Sequence, residues 1–203
     1  TYISAADWLT HRGSVGRTLL APIHILDDDG ADVPAGEIGT VWFEAPPGRP
    51  GFAYHKDEAK TREATDERGW STVGDIGYLD ADGFLYLTDR RSFMIVAGGV
   101  NIYPQEIEDL LASHPAVADA AVFGIPDPDL GERVHAVVQP VDWDAAGPAL
   151  ADELLAHCRT HLSGQKCPRA IDFERELPRE DTGKLFKRHL RDRYWGEGPS
   201  RIV

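Results

Sequence analysis

Four short constellations in this chain carry residue types suited to phosphate and carboxylate chemistry. In Gly74-Asp75 the glycine lets the backbone turn tightly. The carboxylate after it can accept two hydrogen bonds from a vicinal diol such as that of ribose. The bland alternative is a turn aspartate capping its own backbone. Arg90-Arg91 directly follows an apolar segment, where a guanidinium at a strand end can pair with phosphate or ribose oxygens. The alternative there is an exposed partner for Asp89. Gly98-Gly99 leaves a stretch of backbone bare, so that a thin ligand can pass close to it, or simply makes a tight turn before a helix. Lys184 closes LPREDTGK at 177–184. It is not a phosphate-loop lysine, because Pro178 and Leu185 stand where that motif requires glycine and Ser/Thr. A lysine on a mobile loop still suits negative charge developing on phosphorus or carboxylate. An ordinary surface lysine is the alternative.

These residues must be held by elements that the pattern also predicts. Between residues 13 and 45 the chain reads as short strands with turn punctuation: 23–26, a turn at DDDG (27–30), then 38–43. The proline- and glycine-rich run APPGRPG (45–51) cannot be a helix or a central strand. Strands at 76–79 and 84–87 flank Asp80-Ala81-Asp82-Gly83, a hairpin loop. After Arg91 the character changes. A strand at 94–96 precedes a helix opened by Pro104, with Ile107, Leu110 and Leu111 on one face, and His114-Pro115 stops it. Strands at 117–125 and 134–138 are separated by a Pro-Asp turn at 126–129. An amphipathic helix over 149–162 turns Leu150, Leu154, Leu155 and Cys158 inward, and a short strand (171–173) and a closing helix (187–195) follow. The expected fold class is α+β: a small β-rich subdomain, then a compact α+β domain, with the boundary at 91–93.

Composition excludes other classes. The net charge of −13 argues against a general nucleic-acid surface. Against it, residues 166–193 hold nine Lys/Arg and six Asp/Glu, a local +3 that suits a phosphate-bearing small molecule or merely a solvated helix face. No apolar run is long enough to span a membrane, and no stretch reads as a secretory signal. Cys158 and Cys167 lack CxxC spacing, which favours a reduced, cytoplasmic setting. His157 and His161 stand four apart, but no HExxH glutamate or third ligand accompanies them, so no metal ligands are assigned. The opening at Thr1 reads as the interior of a longer chain.

Taken in order, the motifs resemble a known family. They are Gly69-Trp70-x-x-x-Gly74-Asp75, Thr88-Asp89-Arg90-Arg91, Ile95-x-x-Gly98-Gly99-x-Asn101-Ile102-Tyr103-Pro104-x-Glu106-Ile107-Glu108 and Leu177-Pro178-Arg179-x-x-Thr182-Gly183-Lys184. Pro126-Asp127-x-x-x-Gly131-Glu132 and Lys166-Cys167-Pro168 fit as well. Together they resemble the carboxyl-terminal part of the adenylate-forming acyl-CoA synthetases, most closely the fatty-acyl or bile-acid type of bacterial CoA ligase. The resemblance implies residues 1–91 as the β-rich end of a large amino-terminal domain and 92–203 as a mobile α+β carboxyl-terminal domain. It implies ATP, CoA and Mg²⁺, with no Mg²⁺ ligand identifiable in this chain, and a small-molecule carboxylic acid as the other substrate. By position, Asp75 and Arg90 would meet the ribose, Lys184 would be catalytic, and Gly98 and Gly99 would border the pantetheine path. Ser92 would be the hinge, and Lys166, Arg169 and Lys187 would be candidates for the CoA phosphate.

Two departures stand out: Val73 where threonine commonly precedes Gly-Asp, and Ser92-Phe93 where a charged residue and Asp are expected. The family's phosphate loop and Tyr-Gly-x-Thr-Glu segment have no match here, so the acid-binding half is expected upstream and this portion alone is expected to be inactive. A homo-oligomer formed through that upstream region remains open. Two rival readings stay beside the ligase. One is a non-catalytic module that binds adenosine nucleotides; the other is an adenylating enzyme that loads a carrier-protein thiol.

Overall fold

The computed structural model describes residues 1–46, 48 and 51–195. Pro47, Arg49 and Pro50 of the proline-rich run, for which a helix or central strand was excluded, lie outside the described residues. The chain divides into two compact units, Thr1–Arg91 and Ser92–Val203.

In the first unit, β1 (Ile23–Leu26), β2 (Gly39–Phe43), β3 (Asp75–Leu79) and β4 (Leu85–Arg90) form one antiparallel sheet in sequence order. Ile25, Val41 and Leu85 make its core, with Ile23, Val33, Phe43 and Leu79 packed against them. The Asp80–Gly83 loop joins β3 to β4 as expected: Asp80 Oδ1 accepts the backbone N–H groups of Asp82 and Phe84, both at 2.9 Å. Two helices lie outside the sequence reading, α1 (Ala5–Thr10) and α2 (Glu58–Glu63). Each spans six residues and buries none of them, so neither carries the apolar stripe that would reveal it. Local caps define them instead, with Ser4 Oγ accepting from the Asp7 N–H and Asp57 Oδ1 from the Lys60 N–H.

The second unit alternates strands and helices. Its elements are β5 (Ile95–Ala97), β6 (Val100–Ile102), α3 (Pro104–Ala112), β7 (Val117–Asp127), β8 (Gly131–Pro140), α4 (Pro148–His161), β9 (Ile171–Phe173) and α5 (Lys187–Trp195). The sheet runs β6-β5-β8-β7, with β9 pairing in parallel to β8. Both faces of β7 are covered. Ala120 and Val122 join the core beneath α3 and α4, with Ile107, Leu111, Leu154 and Cys158. Ala121, Phe123 and Ile125 join Val137, Leu177 and Leu190 of α5 on the other face. A strand buried on both faces reads as a continuous apolar run, as 117–125 does.

The fold class is α+β, as expected. The expected turn at 126–129 is corrected: β7 continues through Pro126 and Asp127, which pair with Glu132 and Gly131. The reversal is confined to residues 128–130 because Asp127 Oδ1 accepts the backbone N–H groups of Asp129 and Leu130, both at 3.0 Å. The strand expected at 94–96 lies at Ile95–Ala97, and a partner strand, Val100–Ile102, intervenes before α3.

On the α5 face, His135 is buried with Nε2 at 3.2 Å from Asp172 Oδ2, and the Tyr194 hydroxyl donates to the same oxygen at 2.5 Å. Burial lowers the His135 pKa below the ordinary imidazole value, outweighing the opposing pull of Asp172. The folded state thus disfavours the imidazolium, and unfolding takes up a proton in mildly acidic solution. This contribution is present at neutral pH and is lost as pH falls below the ordinary histidine value. Urea unfolding at pH 7 and pH 5 should show a steeper loss for the wild type than for His135→Gln. Equal losses would mean that His135 is not the group responsible.

Candidate functional site

Asp75 opens β3 immediately after Gly74, whose φ of +80° suits glycine. The Gly74 N–H donates to Thr72 Oγ1 at 3.0 Å, and its carbonyl accepts from the Arg91 N–H at 2.7 Å. Across the ladder, Asp75 pairs with Arg90. An irregularity after Ile76 creates that pairing: Ile76 faces Asp89 but Gly77 faces Leu87, leaving Thr88 as the extra residue of a bulge. The structure therefore brings the first two sequence candidates together, with Arg90 Nε 3.4 Å from Asp75 Oδ1. The guanidinium is half-exposed and the carboxylate is mostly covered. A carboxylate aligned by a neighbouring guanidinium keeps acceptor capacity for a diol. A cavity of about 450 Å³ on this unit, lined by Leu19, Leu20, Phe43 and Phe52, includes none of the candidate residues.

In the second unit, Gly98 and Gly99 form the two-residue turn between β5 and β6, with φ values of +58° and +81°. Two consecutive positive φ angles are what a tight right-twisted hairpin requires, and glycine meets them without strain. The turn is therefore between strands, not directly before the helix. A Cβ on Gly99 would meet nothing within 4 Å, so its bare backbone faces open space, while a Cβ on Gly98 would come 3.2 Å from Leu130 Cδ2. Gly98 is tied down by its N–H, which donates to the Leu130 carbonyl at 2.9 Å.

Lys184 sits on a hairpin between Pro178 and Phe186. The Phe186 N–H donates to the Pro178 carbonyl, and the Glu180 N–H donates to the Lys184 carbonyl, both at 2.8 Å. Residues 179–184 are exposed, and the Lys184 ammonium makes no ion pair with any described residue. Just beyond it the chain is anchored firmly. Lys187, at the start of α5, is buried against Glu108 of α3, with Nζ at 2.7 and 2.8 Å from the two carboxylate oxygens. Glu108 Oε1 also accepts the Val122 N–H at 2.7 Å. Lys187 is thus a structural cation and has no ammonium to offer a CoA phosphate, which corrects its candidacy. Lys166 is already engaged as well, 2.6 Å from Glu106 Oε2 on α3, though partly exposed. Arg169 is exposed.

Sequence reasoning passed over two buried charges. Glu132 accepts the Val96 N–H at 3.0 Å and lies 3.9 Å from Arg191, whose Nη1 has no hydrogen-bond partner among the described residues. Both belong to the scaffold joining β5, β8 and α5. His157 and His161 share the α4 surface with ring centres 4.7 Å apart. No group of three or more His, Cys, Asp or Glu side chains among the described residues is arranged to hold a metal ion. No described helix is long and apolar enough to cross a membrane.

Residues 106–184 match the family model described as AMP-binding enzyme C-terminal domain. The chain is 39% identical over 190 residues to a long-chain-fatty-acid–CoA ligase of Yersinia pestis, covering 92% of this chain and 32% of that protein. It is 41% identical over 189 residues to a 2-succinylbenzoate–CoA ligase of Bacillus cereus, covering 93% and 38% respectively. It superposes with a TM-score of 0.78 and 35% identity on o-succinylbenzoate CoA synthetase of Bacillus subtilis in complex with its acyl-adenylate intermediate, over 97% of this chain and 39% of that one. The chain spans about a third of the length of the curated relatives it matches.

Proposed function

We propose that this chain, whose residues 106–184 match the AMP-binding enzyme C-terminal domain model, works as the carboxyl-terminal portion of an ATP-dependent acyl-CoA ligase. Two steps make up the reaction. A carboxylate oxygen attacks the α-phosphorus of ATP, giving acyl-adenylate as pyrophosphate leaves. The CoA thiolate then attacks the acyl carbon, giving the thioester as AMP leaves. The observation that carries this reading is Lys184: within the matched segment, it is exposed on a hairpin with its ammonium unpaired by any described residue. A free cation on a short hairpin can balance the charge shared by the attacking carboxylate and the α-phosphate.

In this reading Asp75 accepts the ribose hydroxyls, and Arg90 orients its carboxylate. The bare turn at Gly98 and Gly99 lets pantetheine lie against backbone, with Lys166 offering its charge to a CoA phosphate in exchange for Glu106. Ser92, the first residue of the second unit, serves as the hinge between the two half-reactions. Mg²⁺ accompanies ATP in this reading. We place the enzyme in the cytoplasm, where ATP and CoA are available, and leave self-association to the region upstream. The portion described here is inactive alone.

The test is carboxylate-dependent exchange of pyrophosphate into ATP by the full-length gene product, starting with fatty acids. Exchange followed by CoA-dependent thioester formation supports the reading. AMP binding without exchange points to a nucleotide-binding module, and transfer only to a carrier-protein thiol points to the other adenylating class. Asp75→Ala should raise the KM for ATP about tenfold to a hundredfold with a smaller change in kcat, since hydrogen bonds to a charged acceptor contribute about 1.5–3 kcal/mol. An unchanged KM would remove Asp75 from the nucleotide site.

A further inference from the structure

We propose that Arg179 is a positioning residue that fixes the direction of Lys184, an inference that rests on the reading just given. Burial among the described residues does not fix the catalytic candidate: residues 179–184 are exposed, and Gly183, immediately before it, has a φ of +84°. A glycine in that region imposes little preference of its own on the next peptide plane. Backbone hydrogen bonds close the hairpin, with the Gly183 N–H donating to the Glu180 carbonyl at 2.8 Å, but they leave the Gly183 carbonyl to be oriented by something else.

Arg179 supplies that contact. Its Nη1 donates to the Gly183 carbonyl oxygen at 2.8 Å, and its Nη2 donates to Asp119 Oδ2 on β7. One planar guanidinium therefore ties the peptide unit that carries the Lys184 nitrogen to the central sheet of the second unit. Asp119 is itself held, because its Oδ1 accepts the Ala120 N–H at 2.8 Å. Arginine suits this task because its donors are fixed in one plane, whereas a lysine ammonium has no such fork. Setting the Gly183 carbonyl sets the direction in which the Lys184 Cα–Cβ bond leaves the backbone. The four-carbon stem of Lys184 then swings from a fixed root.

Arg179 is exposed and Asp119 partly so, and the bridge therefore adds little to stability. A purely structural role would show in thermal stability and would not discriminate between half-reactions. The experiment measures both half-reactions in the full-length gene product for Arg179→Met, Arg179→Lys, Asp119→Asn and the control Lys184→Ala. Arg179→Met should lower kcat for acyl-adenylate formation about tenfold to a hundredfold, the scale expected of a misplaced catalytic group. The KM for ATP and the rate of CoA transfer from supplied acyl-adenylate should change by no more than about twofold. Arg179→Lys should fall between Arg179→Met and wild type. Asp119→Asn should show the same split at smaller size, and it serves if Arg179→Met does not fold. Wild-type adenylation in Arg179→Met beside a crippled Lys184→Ala, or equal losses in both half-reactions, overturns the positioning role. Wild-type adenylation in Lys184→Ala overturns the underlying assignment instead.

Discussion

In the ligase proposed above, Lys184→Ala should lower acyl-adenylate formation about 10²- to 10³-fold, the range measured when one preorganised charge-stabilising group is removed. Transfer of the acyl group from preformed adenylate to CoA should remain within about threefold of wild type, because negative charge accumulates around the α-phosphate mainly in the first step. The split follows from where Lys184 sits. Its ammonium is unpaired among the described residues and its backbone is exposed, so the substitution removes a cation without opening a core or orphaning an anion. Pyrophosphate exchange reads the first step, and single-turnover thioester formation from supplied adenylate reads the second. Equal losses in both would mean that Lys184 serves the fold or CoA binding instead.

The second large effect is on stability. Lys187 is separated from Lys184 by Leu185 and Phe186, yet Lys187→Met should destabilise the second unit by about 3–5 kcal/mol, the usual cost of leaving one member of a buried ion pair uncompensated. Both partners are at least nine-tenths buried by residue, and Glu108 links three elements at once: it receives Lys187 of α5 and the Val122 N–H of β7 while standing on α3. Hydrogen exchange at the Val122 amide in the intact chain measures the effect locally, whatever the first unit does. Adding Glu108→Gln to Lys187→Met removes the carboxylate charge that has lost Lys187 while keeping an oxygen for the Val122 N–H, and should recover much of the loss. A double variant as unstable as Lys187→Met alone would show that packing, not charge, explains the site.

The second unit was the more legible from sequence, for a physical reason. Its long strands β7 and β8 are buried on both faces along their central stretches, and its helix α4 turns Leu150, Leu154, Leu155 and Cys158 inward, so burial imprints period and run length on the chain. Helices α1 and α2 bury nothing and left no such imprint. Pro126 misled because proline is ordinarily a breaker, whereas here the reversal is written by the side chain of Asp127. At the site, residue types could nominate Asp75, Arg90 and Lys184, but not the bulge at Thr88 that sets Asp75 opposite Arg90. Nor could they show that Lys187 would be consumed by Glu108, 79 positions away, or that Arg179 would reach back 60 positions to Asp119. Such contacts leave no local pattern; they exist only once the sheet has brought distant segments together.

Both cysteines of the chain lie in the second unit, reduced and buried, and burial followed by the nearby Cys167 pushes the Cys158 thiol up to about 11. The first unit contains none. An alkylating reagent at neutral pH therefore meets a buried sulfur at both positions, and at Cys158 a thiol held protonated, until the second unit opens. The intact chain thus carries a natural clock: its rate of modification reports how often that one unit breathes, with no probe to install and no signal from its neighbour.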